Sequence, residues 1–297
     1  MTPSRSSHRS GREPSASGSP GSGLLTRRRL IDLAERHGIR PRKSLGQHFL
    51  ADPNLARAIV RSAEISPGDR VLEIGAGLGS LTLALTEAGA EVLAVEADSS
   101  LMPALREVVG DSERVRIEPS DAMAVDWSRL LGAAPWRMVS NLPYNVAVPV
   151  VIDLLEQAPA VDPFVVMVQR EVGERLAAAP GEEAYGAVSL RVAYRASAEL
   201  LRRVPPTVFW PEPNVESVLI RLTRRPPPVP TPEDRLFRLI AEGFAQRRKT
   251  LANALVRLGH SKQEAEAALE RAGLDRRVRA EALGLEDFAR LAETLDG

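Results

Sequence analysis

The feature that most constrains the fold is an alternation of short apolar strands with helical stretches, which begins at Asp69. The strand-like runs cover residues 70–74, 91–96, 114–118 and 137–140, and the helix-like runs cover residues 80–88, 99–109 and 148–157. Because parallel strands are joined by crossover helices, this βαβ alternation predicts an α/β fold in which helices cover both faces of a mostly parallel sheet.

The end of the alternation predicts where this domain stops. Residues 187–195 and 216–222 also read as strands, and without a long crossover between them they are expected to pair antiparallel at the sheet edge. A proline-rich run at 226–230 follows, and beyond it only helical patterns occur, at 232–258, 261–272 and 286–295. We therefore predict an α/β domain over 24–225 and a small all-helical domain over 231–297.

The N-terminal region differs in composition from the rest. Residues 1–23 are mainly Ser, Gly, Pro and Arg and have almost no apolar content, which predicts a disordered tail. The net charge of the chain is zero, yet residues 1–50 hold ten Lys and Arg against three Asp and Glu, a net charge of +7. A second basic cluster covers 247–249. Such clusters can contact phosphates, although either can equally be a solvated face.

The chain contains no cysteine, which excludes disulfides, iron–sulfur clusters, cysteine-ligated zinc and thiol nucleophiles. We assign no metal-binding residues. No run of 18 apolar residues and no secretory signal pattern is found, so the sequence predicts a cytoplasmic protein with no membrane partner.

A glycine-rich turn follows the first strand of the alternation. Gly75, Gly77 and Gly79 lie between that strand and the next helix, and Glu73 precedes them. Glycines let the backbone approach a ligand closely. The spacing G-x-G-x-G differs from the G-x-G-x-x-G of dinucleotide-binding turns, and it favours S-adenosylmethionine (SAM). A dinucleotide or a merely tight turn remains open from this motif alone.

Two carboxylates follow the next two strands. Glu96 ends the second strand, where a carboxylate can accept hydrogen bonds from both ribose hydroxyls of a nucleoside. Asp121 follows the third strand and could accept a hydrogen bond from the adenine amine. The alternative for each is a structural acid that caps a helix or a turn.

Asn141, Leu142, Pro143 and Tyr144 follow the fourth strand, and Asn145 completes the motif. Pro143 fixes its own φ and restricts Leu142 to extended geometry. That rigidity can aim the Asn141 amide oxygen and the Leu142 carbonyl at one amino group, while Tyr144 stacks on a flipped base. Oriented beside an activated methyl donor, an exocyclic amine needs no strong general base. The alternative is an ordinary turn at the end of a strand.

With these motifs in place, the sequence resembles the ribosomal RNA adenine dimethyltransferase family, and within it the KsgA-like small-subunit branch. The resemblance runs from about Pro41 to the C-terminal helices. It is carried by the motifs above and by segments at 43–50, 169–172, 209–217 and 244–251. Two positions depart from the family pattern, Ala76, where proline is frequent, and Ala97; both are small residues that leave the predicted hydrogen-bond acceptors unchanged.

The resemblance implies a Rossmann-like class I SAM-dependent methyltransferase domain with a small helical C-terminal domain. It implies dimethylation of N6 in two adjacent adenosines of the 3′-terminal hairpin of 16S rRNA, within the precursor small ribosomal subunit (pre-30S), by a monomer. The implied cofactor contacts are His48, Leu50, Gly75, Glu96, Asp121 and Asn141. His48 and Leu50 are predicted as cofactor contacts mainly because of the family resemblance. From the sequence alone, His48 would be interpreted as a turn histidine and Leu50 as a core leucine, both with structural roles.

Three alternatives remain open. A 23S rRNA adenine methyltransferase of the macrolide-resistance type would share fold, cofactor and chemistry, although Leu142, Asn145 and the segment 247–251 favour the small-subunit branch. A non-catalytic ribosome assembly factor could keep the fold without turnover, but Asn141, Pro143 and Tyr144 are retained. A nicotinamide oxidoreductase lacks both the expected glycine spacing and an evident hydride-transfer site.

Overall fold

The computed structural model of the chain describes residues 23–42 and 46–295. Apart from Gly23, the predicted disordered tail lies outside these residues, as do Lys43, Ser44 and Leu45 of the N-terminal motif. Within the described residues, no helix is long and apolar enough to cross a membrane.

The core of the fold is a seven-stranded sheet with strand order β4-β3-β2-β5-β6-β9-β7. Its strands are β2 (Arg70–Ile74), β3 (Glu91–Val95), β4 (Val115–Glu118), β5 (Trp136–Asn141), β6 (Val161–Gln169), β7 (Ala196–Val204) and β9 (Ser217–Arg224). The first five strands are parallel, whereas β9 runs antiparallel to β6 and to β7. The predicted parallel sheet with an antiparallel edge is confirmed.

Helices cover both faces of the sheet. In chain order they are α1 (Arg27–Arg36), α2 (Pro53–Ser62), α3 (Ser80–Glu87), α4 (Met102–Val109), α5 (Trp127–Leu131), α6 (Ala147–Gln157), α7 (Arg170–Ala177) and α8 (Ala187–Arg195). Alternate residues of one strand enter opposite cores, so that Leu72 packs in one apolar cluster and Val71 in the other. This double burial explains why the central strands are almost continuously apolar.

The strand predicted at 187–195 is wrong, because these residues form α8 and the strand β7 begins directly after it. The helix lies between two cores. Val188 and Val192 pack against the sheet cluster, while Leu190 and Tyr194 pack in the C-terminal cluster. Residues four apart share a helix face. Because one face is buried through Val188 and Val192 and the other through Leu190 and Tyr194, every second residue of α8 is apolar, and this alternation is also typical of a strand.

The region after β9 is helical, with α9 (Glu233–Ala245), α10 (Leu251–Arg257), α11 (Lys262–Arg271) and α12 (Leu285–Thr294). These helices share one apolar cluster, which includes Phe288 and also takes in Tyr185 and Tyr194 from before the proline-rich run. The helical pattern predicted at 232–258 is two helices, and the basic cluster 247–249 is exposed in the turn between them.

A small second sheet brings the N-terminal segment to the main sheet. Strand β1 (Phe49–Leu50) pairs antiparallel with β8 (Phe209–Trp210). The guanidinium of Arg27 in α1 donates hydrogen bonds to the carbonyl oxygens of Thr207 and Phe209, at 3.0 and 2.6 Å. The segment before β1 is thereby held across the carboxyl ends of the parallel strands.

Candidate active site

One cavity lies at the carboxyl ends of β2, β3 and β5, where open α/β sheets bind their ligands. All nine residues predicted for the cofactor and the base line it: His48, Leu50, Gly75, Glu96, Asp121, Asn141, Leu142, Pro143 and Tyr144. Residues almost 100 positions apart in the sequence therefore meet in one place. The roles of these residues remain predictions, but their grouping is the arrangement that those roles require.

The glycine turn and the predicted base loop are in direct contact. Gly75 has φ of 74°, and a Cβ there would lie 2.8 Å from Cδ of Pro143. Gly77 has φ of 58°, and a Cβ there would lie 2.9 Å from Cδ1 of Phe49. Positive φ and such close approach both exclude larger residues. The glycines therefore allow Pro143 of the base loop and Phe49 of β1 to pack directly against the backbone of the turn.

Glu96 holds the glycine turn and still has free acceptor capacity. Its Oε2 accepts a hydrogen bond from the backbone N–H of Gly77, and its Oε1 accepts one from Asp98, both at 2.8 Å. The side chain is buried, and this burial raises the pKa of Glu96. A carboxylate has about four acceptor positions, so both oxygens can accept a further hydrogen bond from a ligand hydroxyl.

Glu73 is a second buried carboxyl group below the turn. The hydroxyl of Thr82 donates to its Oε2 at 2.6 Å. The pKa of Glu73 is raised to about 8, mainly by burial and to a smaller extent by the nearby charge of Glu96. At neutral pH Glu73 is therefore mostly protonated, which avoids burying two negative charges side by side.

Asp121 has a local structural role in addition to its place in the cavity. Its Oδ1 accepts a hydrogen bond from the backbone N–H of Met123 at 2.9 Å and caps a short 3₁₀ turn. The capping role considered in the sequence analysis is thus present for Asp121. It occupies one carboxylate oxygen and leaves the other for a ligand.

Asn141 lies at the end of β5 with its side-chain amide oriented by the N-terminal segment. Its Nδ2 donates a hydrogen bond to the His48 carbonyl oxygen at 3.1 Å. Its Oδ1 is buried and has no hydrogen-bond partner among the residues that the structure describes. An unsatisfied buried acceptor costs about 1–3 kcal/mol. This oxygen is therefore a buried acceptor that can bind a ligand N–H or O–H group.

Tyr144 is held in place by two distant residues. Its hydroxyl forms a hydrogen bond of 2.7 Å with Oγ of Ser217, and burial raises its pKa. Its ring stacks on His48, with centroids 5.1 Å apart and planes at 30°. Nδ1 of His48 lies 2.7 Å from the Pro211 carbonyl oxygen, which can only accept, so Nδ1 carries the hydrogen.

Sequence reasoning missed several residues of this site. The hydroxyl of Ser80 lines the cavity, is buried, and has no partner within the described part of the chain. Gln47 donates to Asp98 at 2.7 Å and ties the N-terminal segment to the loop after Glu96. Ser80, Gln47 and Ser217 all lie within segments that carry the family resemblance, but none of them was singled out. The signal for Ser80 was a small polar residue directly after the third glycine; Gln47 and Ser217 act through long-range contacts that leave no local signal.

The cavity fits SAM, the cofactor predicted from the sequence. Gly75 and Gly77 line the cavity with backbone alone, because Pro143 and Phe49 leave no room for a side chain at either position. The buried oxygens of Ser80 and Asn141 lack hydrogen-bond partners among residues 23–42 and 46–295, and buried polar atoms without partners are rare in native folds. Glu96 offers acceptors where a ribose would need them.

Comparisons with known proteins identify the family to which the chain belongs. A family model described as ribosomal RNA adenine dimethylase matches residues 38–297. A ribosomal RNA small subunit methyltransferase A from Thermobifida fusca is 49% identical over 276 residues, which cover 91% of this chain and 96% of that protein. The protein of the same name from Kineococcus radiotolerans is 48% identical over 274 residues, 91% of either chain.

Solved structures agree on the fold. The crystal structure of the 23S rRNA methyltransferase ErmE has a TM-score of 0.65 and 25% identity, and the match covers 84% of this chain and 100% of that one. A dimethyladenosine transferase from Plasmodium falciparum has a TM-score of 0.68, 22% identity and coverage of 82% and 96%. The predicted Rossmann-like methyltransferase fold and the family resemblance are confirmed, and the chain belongs to the ribosomal RNA adenine dimethylase family of SAM-dependent methyltransferases.

Proposed function

We propose that this protein dimethylates N6 of two adjacent adenosines in the 3′-terminal hairpin of 16S rRNA, with SAM as the methyl donor. The substrate is the RNA within the pre-30S subunit, and the protein acts as a monomer in the cytoplasm. The observation that carries the proposal is the buried, unpartnered Oδ1 of Asn141, which lies in the same cavity as Gly75 and Glu96.

On the cofactor side, the chain's own groups account for binding. Glu96 accepts hydrogen bonds from the ribose hydroxyls, and Asp121 accepts one from the adenine amine. The 75–79 turn and Leu50 line the space between them, and the His48 carbonyl fixes the Asn141 amide. Bound SAM supplies a methyl group that is already activated for transfer, so the protein has to bind and align rather than activate.

On the base side, the chain orients the target amine. Oδ1 of Asn141 and the Leu142 carbonyl accept hydrogen bonds from the two N–H groups of the adenine amine and turn its lone pair toward the donor. Tyr144 stacks on the extruded base, and Pro143 keeps the loop rigid against Gly75. Aligning two reactants in this way can supply about 7–11 kcal/mol of the barrier.

We further propose a division of labour between two domains. Residues 24–225 form the catalytic domain, and residues 231–297 form a helical domain that extends the RNA-binding surface. The exposed basic turn at 247–249 supports this role, since exposed Arg and Lys side chains attract phosphates. The apolar cluster shared by α9–α12 supports a separate folding unit. Tyr185 and Tyr194 of the catalytic domain also pack in this cluster.

The competing substrate, 23S rRNA, is less well supported. The 23S methyltransferase ErmE is 25% identical to this chain, whereas relatives named small subunit methyltransferase A are 48% and 49% identical over similar lengths. We therefore assign the small subunit as substrate. A non-catalytic assembly factor would have no reason to retain a costly unpartnered acceptor at Asn141.

Mass spectrometry of rRNA fragments tests the proposal. Purified protein and SAM are incubated with small subunits that lack the modification, and with large subunits as the competing substrate. We expect two adjacent N6,N6-dimethyladenosines in the 3′-terminal hairpin of 16S rRNA and none in 23S rRNA. Methylation of 23S rRNA alone would assign the other branch, and RNA binding without methyl transfer would favour an assembly factor.

A further inference from the structure

Ser217 is a fixed point beside the base loop. It is the first residue of β9, where it pairs with Gln169 of β6 on one side and with Val204 of β7 on the other. Its side chain has no exposed surface. A residue held by two neighbouring strands in the core moves little, so its hydroxyl has a well-defined position beside the hydroxyl of Tyr144.

Tyr144 lies in a loop and needs an external anchor. The torsion about the Cβ–Cγ bond of a tyrosine has broad minima. Rotation about this bond leaves the hydroxyl in place, so a hydrogen bond there fixes where the far end of the side chain lies, and stacking on a neighbouring ring fixes the plane. The hydroxyl of Tyr144 is 2.7 Å from Oγ of Ser217, and this is the hydrogen bond that holds the tip of the ring. His48, which stacks on the ring, is itself bonded to Pro211 in the same segment that leads to Ser217.

We propose that Ser217 is a positioning residue for methyl transfer: its hydroxyl holds the far end of Tyr144, so that the ring, whose plane is set by stacking on His48, lies where the target adenine stacks. This inference rests on the proposed function, since it requires that Tyr144 receives the base. Ser217 touches neither substrate nor cofactor in this account and acts only through Tyr144.

A double-mutant cycle tests the inference. Ser217→Ala, Tyr144→Phe and the double variant are compared in single-turnover methyl transfer at saturating SAM and saturating small subunits. Each single variant is expected to transfer methyl groups about 2- to 10-fold more slowly, the range for a lost neutral hydrogen bond, with unchanged affinity for SAM. The double variant is expected to be no slower than the slower single variant, because both changes remove one interaction.

Ser189→Ala is the matched control. Ser189 is also a buried serine with two hydrogen bonds, but it lies at the start of α8, away from the cavity. It should leave the transfer rate unchanged. Wild-type rates in both single variants, or rate losses that multiply in the double variant, would overturn the positioning role. If Ser217→Ala does not fold, Tyr144→Phe removes the same hydrogen bond from the tyrosine side. Its transfer rate then decides whether the hydrogen bond contributes to methyl transfer.

Tyr144→Ala separates failure of this inference from failure of the proposed function. A large loss of transfer in Tyr144→Ala combined with wild-type rates in Ser217→Ala and Tyr144→Phe would reject only the role of Ser217. A wild-type rate in Tyr144→Ala would reject base stacking by Tyr144 and, with it, the inference.

Discussion

The two sides of the cavity are held in place in different ways. The cofactor side consists of Glu73, the 75–79 turn and Glu96, and the hydrogen bonds of its two carboxyl groups join residues no more than 19 positions apart. The base side consists of residues 141–144 with His48 and Ser217, and its side-chain hydrogen bonds join residues 73, 93 and 163 positions apart. One βαβ unit therefore assembles the cofactor side, whereas the base side exists only when three distant parts of the chain have folded together.

The two sides also differ in how their polar groups are satisfied. On the cofactor side, Glu73 and Glu96 have hydrogen bonds from the protein itself. On the base side, Oδ1 of Asn141 is buried with none from any described residue. The carboxylates of the cofactor side are thus already bonded to the protein, and only the Ser80 hydroxyl of that side is, like Oδ1 of Asn141, buried without a partner among the described residues. We infer that the acceptor at Asn141 serves the reacting amine. Changes on the cofactor side should thus affect binding and stability, and changes on the base side should affect transfer.

The largest expected effect is that of Asn141→Ala. Loss of a preorganised polar group that acts in the transition state costs about 100- to 1000-fold in rate, and we expect methyl transfer to fall at least that far while RNA binding is retained. The assay is tritium transfer from labelled SAM to small subunits. Asn54→Ala, at an exposed asparagine of α2, is the matched control. Near-normal turnover of Asn141→Ala would contradict the claim that the base side determines the rate of methyl transfer.

Glu73 gives the cofactor side a pH dependence. The folded protein holds the Glu73 proton up to a pKa of about 8, whereas the unfolded chain releases it near 4.5, so this group's stabilising contribution is lost as pH rises between these values. Relative to Glu73→Gln, which stays neutral, the wild type should lose about 2–3 kcal/mol of unfolding free energy from about pH 5 to pH 7.

Denaturant unfolding at several pH values measures this difference. Glu113→Gln, at an exposed glutamate, should follow the wild-type pH profile. Parallel pH profiles for the wild type and Glu73→Gln would show that Glu73 is ionised in the folded protein, and the cofactor side would then carry two buried charges.

Glu96→Ala should weaken SAM binding by about 1–3 kcal/mol, the range for hydrogen bonds to a charged group. It removes the ribose acceptors and also the bond that holds Gly77. Titration calorimetry measures the affinity, with Glu91→Ala at the exposed start of β3, the strand that Glu96 directly follows, as the control. Unchanged affinity in Glu96→Ala would remove this residue from the cofactor side.

The smallest effect should come from the basic turn, which belongs to neither side. Reversing Arg247 and Arg248 to Glu should weaken binding to the small subunit and lower its salt slope by roughly 1–2, because each phosphate contact contributes about 0.7–0.9. Binding is measured at several salt concentrations, and transfer at saturating subunits should be unchanged. An unaltered slope would mean that the turn is only a solvated face.

The contrast between the two sides also explains what the sequence could predict. The parallel sheet, the glycine turn and the position of Glu96 follow from local periodicity and spacing, since each depends on residues close in the chain. The strand predicted at 187–195 failed because α8 is buried on two faces, and no local pattern separates that case from a strand.

The partners of the base side could not be predicted. Nothing near Tyr144 in the sequence indicates Ser217, and nothing near Asn141 indicates that the His48 carbonyl orients its amide. His48 and Leu50 entered through the family resemblance, because their place in the cavity depends on the pairing of β1 with β8. The raised pKa of Glu73 likewise depends on burial, which the sequence alone does not give.

The most direct test of the difference between the two sides is single-turnover methyl transfer as a function of SAM concentration, in Asn141→Ala and in Glu96→Ala. We expect Glu96→Ala to regain most of the wild-type rate at saturating SAM and Asn141→Ala to remain slow at every concentration. Recovery of both variants, or of Asn141→Ala alone, would contradict the assignment of binding to one side and transfer to the other.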